Sequence, residues 1–173
     1  DHTSNGRNLM VAAYSNAKAL GRFDHVTHLP NRAQLLEDIS TPLDENRNAG
    51  KKFSVLLVTM ADAQHFNQIL RALGHDFSED FIRAGVERLM AVLPAEITLY
   101  NVSILSFAVV VDAFGEPAPE MLAQRIAARF HEPIHVYDIP IRSRAGVGLV
   151  DFDPASSDPA ETLRAALTAA QDS

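Results

Sequence analysis

Phe53-Ser-Val-Leu-Leu-Val-Thr-Met60 is too apolar to lie at a surface and far too short to cross a membrane. A run of about eight such residues reads as a buried strand, so the rest of the chain must supply elements that cover it. Helical candidates stand on both sides. Downstream, Phe66, Ile69, Leu70 and Leu73 recur at helical spacing and stop at Gly74, which suits a helix C-terminus. A second helix is expected from about Ser78 to Leu93, with Phe81, Ile82, Val86, Leu89 and Met90 facing inward and Pro94 ending it. Upstream, Pro30 has a fixed φ and no backbone donor, so it suits a first helical turn. Ala33, Leu35, Leu36 and Ile39 then supply an apolar side that fades near Pro42, and a polar loop from Asp44 to Lys52 leads into the strand.

Ile97 to Tyr100 and Ile104 to Val111 are two further strand candidates, with Asn101, Val102 and Ser103 as the expected turn of an antiparallel hairpin. A helix is expected over Met121 to Phe130, and Ile134 to Tyr137 with Ile139 to Val150 suggests a final antiparallel pair. The last helix should run from about Pro159 to Ala170. This order predicts an α/β (α+β) fold. A central, mainly antiparallel five-stranded sheet would be flanked by helices in the manner of a ferredoxin-like fold or a nucleotide-cyclase palm. Ahead of it, Met10, Ala13, Ala17 and Leu20 share one helical stripe, so an N-terminal connector helix is expected. Residues 1–23 read as a linker and signalling helix, and 24–173 as a single domain.

Composition narrows the possible partners. At 173 residues and 47% hydrophobic, the chain can bury roughly two-thirds of its unfolded surface around one core. Its net charge of -7 disfavours an extended phosphate-backbone interface, so no nucleic-acid partner is expected. The absence of cysteine excludes disulfides and thiolate metal sites. No apolar run has the length of a membrane span and no signal-peptide pattern opens the chain, so a cytoplasmic location is expected, including as the cytoplasmic portion of a membrane-anchored protein.

The polar stretch Asp24-His25-Val26-Thr27-His28-Leu29-Pro30-Asn31-Arg32 closely resembles D-x-L-T-G-L-P-N-R, the signature that opens GGDEF (diguanylate cyclase) domains. His28 stands where that family usually has Gly. A second block, from Asp62 to Glu79, resembles the family's D-x-D-x-F-K-x-I-N-D-x-x-G-H-x-x-G-D, with Asp62, Phe66, Ile69, Gly74 and His75 matching. Arg144-Ala-Gly-Val-Gly-Leu-Val150 resembles its S-I-G-I-A strand, with Gly146 at the Ser position. Phe130-His-Glu-Pro-Ile134 looks like the versions found in tandem with an EAL-type phosphodiesterase domain.

The resemblance implies condensation of two GTP molecules, with Mg²⁺ held by hard oxygen ligands. Asp62 takes the position of one metal ligand, and Asp62, Phe66, Asn67 and Glu79 are the implied nucleotide-binding residues. The remaining family ligands belong to a G-G-D/E-E-F turn. Here that turn reads Ser103-Ile104-Leu105-Ser106-Phe107, in which both carboxylates are missing and the Leu105 side chain has no oxygen. Leu70 replaces the Asn that reads guanine, and Pro94-Ala-Glu-Ile97 lacks the R-x-x-D product site. The expectation is a catalytically inactive regulatory or interaction module of bacterial cyclic-di-GMP signalling. It would have no catalytic residues of its own and need no cofactor. GTP as an effector, an upstream sensor, a downstream EAL domain and a homodimer are the partners this reading allows. The competing hypothesis is an active or weakly active cyclase using GTP, Mg²⁺, Asp62 and a non-standard ligand. The other features have structural readings: Asp62 as a helix cap, His75 at a helix C-terminus, and Arg142 and Arg144 on one face of a strand.

Overall fold

The structure is a computed structural model, and it describes residues 21–40 and 51–173. The expected connector helix through Met10 and Leu20, and most of the loop after Pro42, lie outside the described residues. The apolar run becomes β1 (Phe53–Thr59), which is central. It pairs antiparallel with β3 (Ser106–Asp112) on one side and with β6 (Gly146–Phe152) on the other, and β2 (Tyr100–Ser103) pairs outside β3. The order β2-β3-β1-β6 is that of a four-stranded sheet.

Successive β1 residues serve opposite faces. Leu56 and Val58 enter one apolar cluster with residues of α2 (Ala63–Leu73), α3 (His75–Val92) and α4 (Pro119–Phe130). Val55 and Leu57 enter the other, with α1 (Arg32–Ser40) and α5 (Pro159–Gln171). The sheet is therefore covered on both faces, which explains why β1 lacks polar alternation.

The strand count differs from the expected five. Ile139 to Val150 is two elements: β5 (Ile139–Ile141) forms a small hairpin with β4 (Ile134–Val136), and only β6 joins the main sheet. Tyr137 and Asp138, with φ of 50° and 65°, make the tight turn of that hairpin, and the chain then crosses through residues 142–145 to reach β1. Arg142 and Arg144 consequently sit in a connecting segment and not on a strand. The β2–β3 turn is also displaced from its expected place at Asn101 to Ser103. Those residues lie in β2, and Ile104 with Leu105 makes the turn.

Two contacts hold the layers in register. Gly146 and Gly148 turn bare backbone toward α5; a Cβ on Gly148 would lie 2.4 Å from the Ala166 carbonyl oxygen, and one on Gly146 1.9 Å from that of Ala170. On the opposite face, the Arg88 guanidinium of α3 donates to the carbonyls of Arg129 (3.0 Å), Glu132 and Pro133 (2.8 Å) and lies 5.8 Å from the Phe130 ring centroid. The Phe130–Ile134 stretch is thus folded around one cation. No helix among the described residues is long and apolar enough to cross a membrane.

Candidate functional site

The Asp24 stretch forms a joint at the edge of the sheet. One Asp24 carboxylate oxygen accepts the N–H groups of Val26 (2.8 Å) and Thr27 (2.9 Å), while the backbone closes through Asp24 N–H to Leu29 O and His28 N–H to Asp24 O, both 2.9 Å. His28 sits at φ 60°, a conformation that L side chains adopt at a cost and that Gly adopts freely. The helix does not begin at Pro30. Pro30 bridges back to Phe23 and its carbonyl accepts the Asn101 N–H at 2.8 Å. Asn31 then caps α1, its side-chain oxygen taking the Gln34 N–H at 3.2 Å. Arg22, beside the joint, pairs with Glu37 of α1 at 2.9 Å.

Asn101 lies between this joint and the β2–β3 hairpin. It is 4% exposed, accepts the Thr27 hydroxyl at 2.8 Å, and donates its amide to the carbonyls of Ser103 and Ser106 (3.2 Å). In the sequence Asn101 falls in the expected turn only because it lies between two strand candidates, with no Gly to mark the turn. Its role as a buried bridge depends on partners 74 positions away. Beside it, Tyr100 donates to Asp38 of α1 at 2.5 Å; burial, and then that carboxylate, push the Tyr100 pKa up, so the hydroxyl keeps its proton.

The hairpin tip and Asp62 meet at one end of the sheet. Thr59, the last residue of β1, pairs with Ser106, and the Met60 N–H donates to Leu105 O at 2.8 Å. At the tip Ile104 is 66% exposed, Leu105 packs against the core, and Ser106 and Phe107 are buried. Asp62 caps α2: its side chain accepts the His65 N–H at 2.7 Å. Phe66 packs against the core, while Asn67 is exposed on α2. Glu79 lies on α3, 3.1 Å from His75 Nε2 and 3.4 Å from the Arg83 guanidinium. His75 opens α3 and does not close a helix, so its expected place at a C-terminus is corrected. His65 is tied elsewhere, its Nε2 2.7 Å from the Arg142 carbonyl oxygen, which as a pure acceptor requires the proton on Nε2.

Residues 22–173 match the family profile described as diguanylate cyclase, GGDEF domain. The chain belongs to the GGDEF family. It is 27% identical over 165 residues to the cyclic di-GMP phosphodiesterase PA2567 of Pseudomonas aeruginosa, covering 95% of this chain and 27% of that protein. Against the cyclic di-GMP phosphodiesterase NbdA of the same organism it is 27% identical over 156 residues, covering 90% of this chain and 19% of that one. The chain therefore spans about a quarter or less of these curated relatives. The crystal structure of the PA2567 GGDEF domain matches with a TM-score of 0.72 at 29% identity, over 82% of this chain and 87% of that one.

With the GGDEF family established, the positions that would hold Mg²⁺ can be tested for fit. Asp62 offers a carboxylate with one oxygen engaged as a cap, the Leu105 side chain offers no oxygen, and Ser106 offers a neutral hydroxyl in a buried strand. This donor set does not fit a hard divalent cation, which needs several oxygen ligands. Among the described residues no group of three or more His, Cys, Asp or Glu side chains gathers. Leu70, where the resemblance implies a guanine reader, is half-buried and its side chain has no group to pair with a base.

Proposed function

We propose that this GGDEF domain is catalytically silent and serves as a regulatory or interaction module in bacterial cyclic-di-GMP signalling. The observation that carries the reading is the hairpin tip. Its backbone turn is intact and tied to β1 through Met60, while Leu105 faces the core in place of a metal-binding carboxylate. Attack of a ribose hydroxyl on an α-phosphate requires that developing charge be neutralised and the nucleophile activated. Asp62 alone supplies neither, and Glu79, held by His75 and Arg83, is committed to neighbours on its own helix.

The relatives supply the context. Two are named phosphodiesterases of cyclic di-GMP, and this chain spans only part of each. We infer that the domain sits in a longer cytoplasmic polypeptide beside an EAL-type phosphodiesterase domain and a sensor, where it relays movement, supports a homodimer or binds GTP as an effector.

Incubating the purified protein with GTP and Mg²⁺ or Mn²⁺ should yield no cyclic di-GMP; metal-dependent product would establish the rival reading of a weak cyclase with a non-standard site. Titration with GTP by calorimetry separates the remaining roles, since saturable binding assigns an effector site and flat heats assign a scaffold.

A further inference from the structure

We propose that Asn101 couples the joint to the hairpin tip, so that displacement of the chain entering at Arg22–Asp24 is felt at Ile104 and Leu105. The path is contiguous and short. Asp24 orders the joint by accepting two backbone N–H groups, one of them that of Thr27. The Thr27 hydroxyl lies 3.3 Å from Asp24 and 2.8 Å from Asn101 Oδ1; having one proton, it donates across the shorter contact. Asn101 Nδ2 then holds the carbonyls of Ser103 and Ser106, which flank the turn. Leu105, between them, accepts the Met60 N–H at the end of β1.

The Asn101 side chain cannot reverse. A flipped amide would set Oδ1 against two carbonyl oxygens, acceptor facing acceptor, at a residue that is 4% exposed. Its backbone is clamped from the same side, because its N–H donates to Pro30 O and it bridges to Asn31. A shift of the joint therefore either carries Asn101 with it or breaks a buried hydrogen bond. Asn101 is a positioning residue. The coupling requires no turnover, so it stands or falls separately from the reading of catalysis.

Amide hydrogen exchange on the 173-residue chain tests it. Thr27→Val keeps the side-chain shape and removes the hydroxyl; the Met60 amide should then exchange about tenfold faster, with β1 amides paired to β6 unchanged. Thr27→Ser should restore protection. Because coupling is reciprocal, the double change Ile104→Gly with Leu105→Gly should speed exchange at Val26 and Thr27, and this should vanish in a Thr27→Val background. Unaltered protection at Met60 in Thr27→Val would overturn the proposal, as would a uniform rise across all core amides, which marks global destabilisation.

Discussion

The joint at Asp24–Asn31 and the hairpin tip at Ser103–Phe107 face each other across Asn101, and the polar residues of the two regions behave differently. In the joint, Asp24, Thr27 and Asn31 are all spent on the fold itself, each satisfying backbone groups or a neighbouring side chain. At the tip the backbone is held by Asn101 and Met60, and the side chains of Ile104 and Leu105 add no polar contact to that hold. Residues that satisfy buried backbone cannot be exchanged without leaving donors unpaired, whereas residues that would face a ligand can be exchanged without disturbing the chain. On the proposed reading, a GGDEF domain can therefore change the residues of its hairpin turn and keep its architecture.

Substitution at matched positions can break that contrast. The largest effect is expected at Asp24→Ala, which strips the acceptor from two backbone N–H groups and should lower the unfolding free energy by about 2–3 kcal/mol in urea denaturation. Leu105→Asp returns a carboxylate to the tip at the cost of apolar packing. It should destabilise by about 1–2 kcal/mol and still yield no cyclic di-GMP from GTP and Mg²⁺, because Asp62 remains a cap and Leu70 still offers no base partner. Product from this single change, with none from the unaltered chain, would show that the proposed silence rests on one residue. His28→Gly relieves the φ of 60° and should raise stability by about 0.5–1 kcal/mol, read as a higher Tm. Ile104→Ser, at a side chain exposed to 66%, should move stability by less than about 0.5 kcal/mol.

How far the sequence could be read depended on whether the signal was local. The Phe53 run announced β1, and helical spacing located α2 through α5 to within a few residues, because apolar periodicity is a local record of which face is buried. Gly74 and Pro94 marked helix ends for the same reason. The hairpin turn is expected at Asn101 to Ser103 because they separate two apolar runs; the pairing with β3 and the bridge from Asn101 to Pro30 and Asn31, which put Ile104 and Leu105 there instead, leave no local trace. Ile139 to Val150 reads as one strand, although Arg142, Ser143 and Arg144 interrupt its apolar residues where β5 ends and the chain crosses to β6 beside β1. At the site, chemical identity was legible and commitment was not. The Leu105 side chain plainly lacked an oxygen and Asp62 could be read as a cap, but that the cap accepts the His65 N–H while His65 Nε2 reaches Arg142 O emerges only in three dimensions.

The Arg88 clamp bears on the order of assembly. The carbonyls it gathers close the end of α4 and open β4, yet the guanidinium comes from 41 to 45 positions earlier in the chain. Local preference alone leaves those carbonyls without this donor, so the α4–β4 corner is complete only once α3 has docked against it. A planar cation stacked on Phe130 is the fastener, and a lysine, with no fork to span three acceptors, would leave the corner ajar.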